Sequence, residues 1–466
     1  MKKVALLGGS LNPPGLHHRA IARALSREFD LVRIVPCGPR PDKATTNDIA
    51  PLHRAAMADL AFQRLASNIE VELFDLEQAT FTPNHLLGER LIDLGEVWHV
   101  VGTDLVAGGG EGRSFIQRSW AEGWQLWAGA NFVIALGDDE AATPKDYPPR
   151  HRIVRFSGAA RSTLIRERVF RHEPYEHLVT PEVAAYIARY DLYRGRVALT
   201  RSAWTPAPPG RGIVLSTDGR NPRTATFRER LEPLVANSEE LPTVIVVVGG
   251  DGIMLHAVRE FWRRRTPFFG INAGHLGFLM NEVRPGEIGS DFFARQFILR
   301  SSPLLFVEAV APDGAVRHAH AMNDAYVAVE QGKTGWFEIE VDGEVRIPRL
   351  VGDGALVATA AGSTAYARAM GANPVPIGTE VLLTVGSNVA EPIGWKSANL
   401  PQDSSVIFRT ADPSRWRKTF GYADGVALGE VVELRVRSSR IAAAELLFLP
   451  ENDIRKKLAR TQFPHS

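Results

Sequence analysis

Val244-Ile245-Val246-Val247-Val248-Gly249-Gly250-Asp251-Gly252-Ile253-Met254-Leu255 is the stretch on which the reading of this chain turns. Five β-branched residues in a row predict a buried parallel strand. Gly249, Gly250 and Gly252 leave room for a ligand to approach the main chain, and residues 253–262 read as a helix. The loop therefore stands at a helix N-terminus, where exposed N–H groups and the helix dipole favour phosphate. Asp251 is the one ionisable group among the glycines. Phosphate would repel a carboxylate there unless a metal ion or a proton to abstract gives it a task. Taken alone, Gly-Gly-Asp-Gly also reads as an ordinary tight turn.

Three further stretches narrow the reading. Gly270-Ile271-Asn272-Ala273-Gly274-His275-Leu276-Gly277-Phe278 follows a second short strand. Asn323-Asp324 comes next, then Asp353-Gly354 leading into Gly362-Ser363-Thr364-Ala365-Tyr366. In this order, over about residues 196–466, they resemble the NAD kinase family. The resemblance implies ATP-dependent phosphorylation of NAD at the 2′-hydroxyl of its adenosine ribose. It implies a kinase domain over residues 195–466, with an α/β lobe to about residue 300 and a β-rich NAD-binding lobe beyond. A ribose hydroxyl is a weak nucleophile without a base, and Asp251 is the candidate to accept its proton. The nucleotide-binding set implied is Gly249, Gly250, Gly252, Asn272, Gly274, Phe278, Asn323, Asp324, Thr364, Ala365 and Tyr366. The family is homo-oligomeric, and Asp353 is expected to reach across a subunit interface.

A second phosphate-binding pattern opens the chain. A strand over residues 4–7 runs into Gly8-Gly9-Ser10-Leu11-Asn12-Pro13-Pro14-Gly15-Leu16-His17-His18, and helical pattern follows to Phe29. Strand, glycine-rich turn and helix place a nucleotide site at the carboxyl end of a parallel strand. His18 falls in the first helical turn, where an imidazole can donate to phosphate oxygens. Pro41-Asp42-Lys43 follows the next strand, Gly102-Thr103-Asp104 closes an apolar strand, and Ser162-Thr163-Leu164-Ile165-Arg166 opens a helix that Ser162 or Thr163 can cap. Together these resemble the nicotinate/nicotinamide mononucleotide adenylyltransferases over residues 1–194, which implies a Rossmann-like domain joining a pyridine mononucleotide to the AMP moiety of ATP. The implied site holds His18 as the catalytic group with Gly8, Gly9, Ser10, Asn12, His17, Lys43, Thr82, Gly102, Asp104, Trp120, Ser162, Thr163 and Arg166. Trp120 is the candidate to stack on the pyridine ring. The plainer reading, that Trp120, Trp124 and Trp127 pack one helix face, stands beside it. The glycine-rich stretch 105–114 reads as a mobile lid.

Both halves depart from their families. Gly15-Leu16-His17-His18 stands where His-x-Gly-His is usual, so the second histidine is kept as His18 and His17 is the candidate to replace the first. In the kinase half Thr359-Ala360-Ala361 replaces Thr-Pro-Thr, and Asn323-Asp324 replaces Asn-Glu. These differences bear on substrate choice and catalytic strength more than on fold.

The remaining bounds are plain. At 466 residues the chain exceeds one ordinary core. Its apolar content of 45% and charged content of 23% are those of a globular protein, and a net charge of +1 gives no general attraction to nucleic acid or anionic membrane. A single cysteine, Cys37, cannot form an internal disulfide and fits a reducing cytosol. No apolar run reaches membrane-spanning length, so the expectation is a cytoplasmic α/β enzyme. No carboxylate cluster has metal-ligand spacing, so Mg²⁺ is expected to arrive with ATP. The expected partners are ATP, NAD and either NMN or nicotinate mononucleotide. Against the bifunctional enzyme stands an adenylyltransferase whose altered kinase half only binds NAD or NADP as a regulatory module.

Overall fold

The computed structural model describes all residues except 41–42, 142, 159–160, 196–199, 207–211, 238–241, 275–276, 331, 412–417, 453–456 and 459–466. The expectations for Pro41-Asp42, for His275-Leu276 and for a strand beginning at Arg196 lie outside the described residues. The chain divides into two compact units, Met1–Ala198 and Leu199–Ser466.

The first unit is built on six parallel strands: β1 (Lys3–Gly9), β2 (Leu31–Pro36), β3 (Ile69–Val71), β4 (Glu96–Gly102), β5 (Asn131–Gly137) and β6 (His151–Phe156). Their order across the sheet is β3-β2-β1-β4-β5-β6. That is the doubly wound order whose direction reverses between β1 and β4, where ligands bind at the carboxyl ends of the strands. The loops after β1 and β4 carry the Gly8–His18 and Gly102–Asp104 strings. The first helix, Leu16–Leu25, buries Ile21, Ala22 and Leu25 and ends four residues before Phe29. The stretch expected to be a lid is packed instead. A Cβ on Gly109 would stand 2.3 Å from the Trp127 ring and 2.4 Å from the Asp146 carbonyl, so its glycine lets backbone approach a buried indole.

The second unit holds β7 (Thr200–Trp204), β8 (Ile213–Thr217), β9 (Val244–Gly249) and β10 (Phe268–Asn272). These are followed by β11 (Phe297–Val310), β12 (Val316–Ala321), β13 (Asp324–Val329), β14 (Gly335–Val341), β15 (Glu344–Gly352) and β16 (Gly354–Thr359). The last six are β17 (Val381–Ser387), β18 (Ser397–Pro401), β19 (Ser405–Thr410), β20 (Thr419–Ala423), β21 (Val426–Glu430) and β22 (Glu433–Phe448). β8, β9 and β10 are parallel, and every residue of β9 is buried, as its β-branched run requires. Beyond Pro303 the described helical structure comprises Ala361–Thr364, Tyr366–Ala369 and the helical residues Lys457 and Leu458.

The expected division near residue 300 is crossed by two strands. β11 and β22 pair antiparallel along nearly their whole lengths, and the far end of β22 runs parallel to β10 through Leu446 and Leu447. A ten-stranded sheet thus belongs to both lobes, and the chain's last strand returns to the parallel core. A second, six-stranded sheet, β18-β17-β16-β13-β20-β21, packs one face on it through Ala325, Val327, Val357 and Leu382. Asp342-Gly343 and Asp424-Gly425 have positive φ at both positions and make tight hairpin turns. Asp353-Gly354 does not. There the chain passes from one sheet to the other, and a Cβ on Gly354 would stand 2.3 Å from the Val327 carbonyl. No described helix is long and apolar enough to cross a membrane.

Candidate active sites

At the carboxyl end of β9, Gly250 is the extended residue that precedes the helix Asp251–Phe261. Cβ atoms on Gly250 or Gly252 would meet open space, so nothing shields the main chain there. Asp251 opens the helix. Its Oδ2 accepts from the Phe278 N–H (2.9 Å) and its Oδ1 from the Leu279 N–H (3.0 Å). Burial pushes this carboxyl above the ordinary range, while the two amides and the Lys457 ammonium oppose the shift. Phe278 therefore serves through its main chain, and its ring is buried in the core. Asn272 is likewise occupied: its Nδ2 donates to Glu282 (2.8 Å) and its Oδ1 accepts from the Gly274 N–H (3.0 Å). The loop after β8 closes the same end, where the Asn221 Nδ2 donates to the Ala273 carbonyl (2.9 Å).

A second cluster sits where β13 and β16 meet. The Asp424 carboxylate accepts from the N–H groups of Met322, Asn323 and Asp324. The Asn323 carbonyl lies against Gly362, where a Cβ would stand 2.1 Å away, so only glycine fits. The Asn323 Oδ1 is buried without a hydrogen-bond partner. Such an atom is costly unless something binds it. Thr364, Ala365 and Tyr366 follow in the turn after β16, with Tyr366 44% exposed and set edge-on to Tyr326, which stacks on Tyr422. Asp353 lies at the other end of β16, bonded to Asn388. Six strand steps of about 3.4 Å separate it from Thr359, so it does not join this cluster within one chain. A cavity of about 290 Å³ adjoins this second cluster, lined by Val258, Arg259 and Trp262 on one side and Met322 and Asp424 on the other.

Asp324 and Asp424 face one another. Burial, then the Asp424 charge, pushes the Asp324 carboxyl up to about 7. The folded chain therefore holds a proton that the unfolded chain, with an ordinary aspartate's value of 3.8, has released, and stability falls as pH rises between those values. Asp324→Asn removes the repulsion. Its melting temperature is expected to exceed wild type by about 3 °C or more at pH 8 and to match it at pH 5, a difference that thermal unfolding at the two pH values measures.

In the first unit the loop after β1 is fastened from several directions. The Arg54 guanidinium is buried and donates to the carbonyls of Ser10, Cys37 and Thr46. The Asn12 Nδ2 donates to the Thr45 carbonyl (2.7 Å) and its Oδ1 accepts from the Tyr193 hydroxyl (2.6 Å). Arg166 donates to the Asn12 carbonyl (2.6 Å), and the Ser162 hydroxyl to the Pro13 carbonyl (2.8 Å). Asn12, Ser162 and Arg166 thus hold the loop. Neither Ser162 nor Thr163 caps the helix Ser162–Phe170, whose preceding residue is Arg161, and Thr163 instead accepts from Arg166. Thr82 is held by the Asp75 carboxylate through both its N–H and its hydroxyl.

His18 accepts from the Gly15 N–H through Nδ1 (3.1 Å), which leaves Nε2 as the donor of the neutral ring. Burial, then the neighbouring His17 and Lys43, holds its pKa well below 6.5. What His18 can offer phosphate is therefore the N–H dipole of a neutral ring. The His17 ring lies 3.8 Å from it and folds over Gly15, where a Cβ would stand 2.8 Å from its Nδ1. Burial, then Arg161, lowers the His17 pKa to about 4. Gly8 and Gly9 end β1 and Gly102 ends the adjacent β4, on either side of the reversal. Asp104 is exposed. Of the three tryptophans, Trp127 is core, Trp124 is 58% exposed, and Trp120 packs partly buried against the Trp127 cluster.

Sequence reasoning missed Arg54, Tyr193, Lys457 and Asp424 as supports of these loops. A lone Arg in a helix or a Lys in a basic tail carries no local signal of a distant carbonyl partner.

A family model described as ATP-NAD kinase N-terminal domain matches residues 216–292. An NAD kinase of Cereibacter sphaeroides is 37% identical over 222 residues, covering 47% of this chain and 85% of that protein. An NAD kinase of Xanthomonas oryzae pv. oryzae is 31% identical over 257 residues, covering 52% of this chain and 98% of that protein. Among solved structures, yeast NADH kinase complexed with NADH aligns with a TM-score of 0.49 at 18% identity, covering 57% of this chain and 93% of that one.

Proposed function

This chain belongs to the NAD kinase family, with the family model lying inside its second unit, and from that premise we propose that it transfers the γ-phosphoryl group of ATP to the 2′-hydroxyl of NAD. The observation that carries the reading is Asp251, a carboxylate held by two amides at a helix N-terminus beside bare glycine main chain. The amide-rich loop receives phosphate oxygens, and Asp251 takes the proton as the ribose oxygen attacks in line. Asn323, with its unpartnered Oδ1, holds the nucleoside beside Asp324, Thr364, Ala365 and Tyr366. Asp353, remote from this cluster in its own chain, reaches the site of a neighbouring subunit in a homo-oligomer. Among the described residues no three His, Cys, Asp or Glu side chains converge as a metal group. Mg²⁺ enters with ATP and supplies charge neutralisation on its phosphates.

The first unit is proposed to make the NAD that the second consumes, by adenylyl transfer from ATP to a pyridine mononucleotide. Support comes from the strand order β3-β2-β1-β4-β5-β6 and from a neutral imidazole donor in the loop at its reversal. The mononucleotide phosphate attacks the α-phosphorus and pyrophosphate leaves, so the protein supplies positioning and N–H donors without a covalent intermediate. Lys43, whose charge His18 senses, is the cation of this site. Incubating the purified chain with ATP, Mg²⁺ and NMN, nicotinate mononucleotide or NAD in turn, then identifying products by mass, tests both halves. NADP from NAD and a dinucleotide from a mononucleotide are expected. NAD recovered unchanged would leave a binding module where a kinase is proposed.

Which mononucleotide enters follows from joining the halves. A nicotinate product would be a poor acceptor for an NAD kinase, and no lysine or arginine stands between Trp120 and Leu136 to select a carboxylate. NMN is therefore expected to be used at least as well as its nicotinate counterpart, judged by kcat/KM. A nicotinate preference above about tenfold, or roughly 1.4 kcal/mol of discrimination, would mean that the halves do not run consecutive steps.

A further inference from the structure

The turn that grips Asp251 is itself gripped from behind. Phe278 and Leu279 give their N–H groups to the carboxylate, and the carbonyls on either side of that pair, Gly277 and Met280, both accept from the ammonium of Lys457 at 2.9 and 2.5 Å. Lys457 comes from beyond the last strand, 180 residues from Gly277 in sequence, and its side chain is only 11% exposed. The same ammonium lies 3.9 Å from the Glu282 carboxylate, which receives the Asn272 side chain. One buried cation thus backs both the loop that holds Asp251 and the residue that shapes the turn after β10.

We propose that Lys457 is a positioning residue for phosphoryl transfer: its ammonium locks the Gly277–Met280 turn, so that the Phe278 and Leu279 amides hold the Asp251 carboxylate ionised and aimed. This rests on Asp251 being the base. Two buried carbonyls turned toward a vacated ammonium would have no donor, and the turn would relax to find one. The amides on its other side would move with it. The cation also favours the ionised carboxylate electrostatically, against the burial that favours the protonated one. A base acts ionised, so losing the cation raises the pH at which activity is lost on acidification.

The test uses the full-length chain, NAD, ATP and Mg²⁺, with kcat, KM for NAD and the acidic limb of the kcat profile as readouts. Lys457→Gln keeps one N–H donor and removes the charge. It is expected to lower kcat at pH 7 by about tenfold or more, with KM within about threefold, and to move the acidic limb up by about half a pH unit or more. Lys457→Arg, which restores charge, is expected to return the limb to within about 0.2 unit of wild type. A Lys457→Gln enzyme whose limb and kcat match wild type, beside an inactive Asp251→Asn enzyme, overturns the role of Lys457 alone. An active Asp251→Asn enzyme overturns the base and this proposal with it. Should Lys457→Gln fail to fold, Lys457→Arg decides: a kcat and acidic limb like wild type support the proposal, and a folded Arg variant with an unmoved limb but a KM raised more than about tenfold overturns it.

Discussion

Asp251→Asn is expected to reduce NADP formation by about a thousandfold, the scale of a missing general base. The substitution is close in shape but not silent. Asp251 accepts from two amides, Phe278 and Leu279, and an Asn side chain offers one oxygen and one NH₂ to the same pair. One buried donor is therefore left facing another, at a stability cost of about 1–2 kcal/mol. The measurement pairs NADP formation from added NAD with a melting curve, so that lost chemistry is separated from lost fold. Adenylyl transfer by the other unit is expected to continue. Residual kinase activity within tenfold of wild type would remove Asp251 from the mechanism. Burial raises this carboxyl, so wild-type kinase activity is expected to fall on acidification at a pH above that of an ordinary aspartate. The sign follows from the base acting ionised.

His18→Ala is expected to cost adenylyl transfer about a hundredfold or more, as for loss of one preorganised donor at a developing charge, while phosphorylation of added NAD persists. His18 also accepts the Gly15 N–H, so the alanine variant loses two functions. His18→Asn separates them, since its side-chain oxygen can take the Gly15 bond while nothing replaces Nε2. If both variants are slow, the role belongs to Nε2. If the asparagine variant works, His18 only closes the turn. Because burial keeps this ring neutral, the rate is expected to show no imidazole titration between about pH 6 and 8.

Different physical ranges explain what could be read and what could not. The strand and glycine turn at residues 244–252 and the string at 4–18 declare themselves because β-branched runs, glycines and helical period act within a few residues. The strand direction and the need for short loops then lead to parallel sheets with sites at their carboxyl ends. Roles assigned by residue type fared differently. Asn12, Ser162 and Arg166 look like ligand contacts in sequence, and in the fold Ser162 and Arg166 donate to carbonyls of the loop after β1 while Asn12 in that loop donates to Thr45. The charge state of His18 is not legible in sequence, because the burial that keeps its ring neutral is a property of the packed unit. That one sheet spans the expected division near residue 300 was not legible, because β22 is one long strand whose two ends serve different neighbours.

By itself, then, the sequence determined the two nucleotide-fold patterns, the position of the carboxylate in the phosphate loop and the β-rich character after Pro303. Only the tertiary structure decided what holds Asp251, since its amide partners stand 27 and 28 residues away and Lys457 reaches their turn from 180 residues beyond Gly277. Hydrogen bonds across such separations depend on how strands stack and where the chain returns. No local preference of a lysine in a basic tail encodes the carbonyls it will meet.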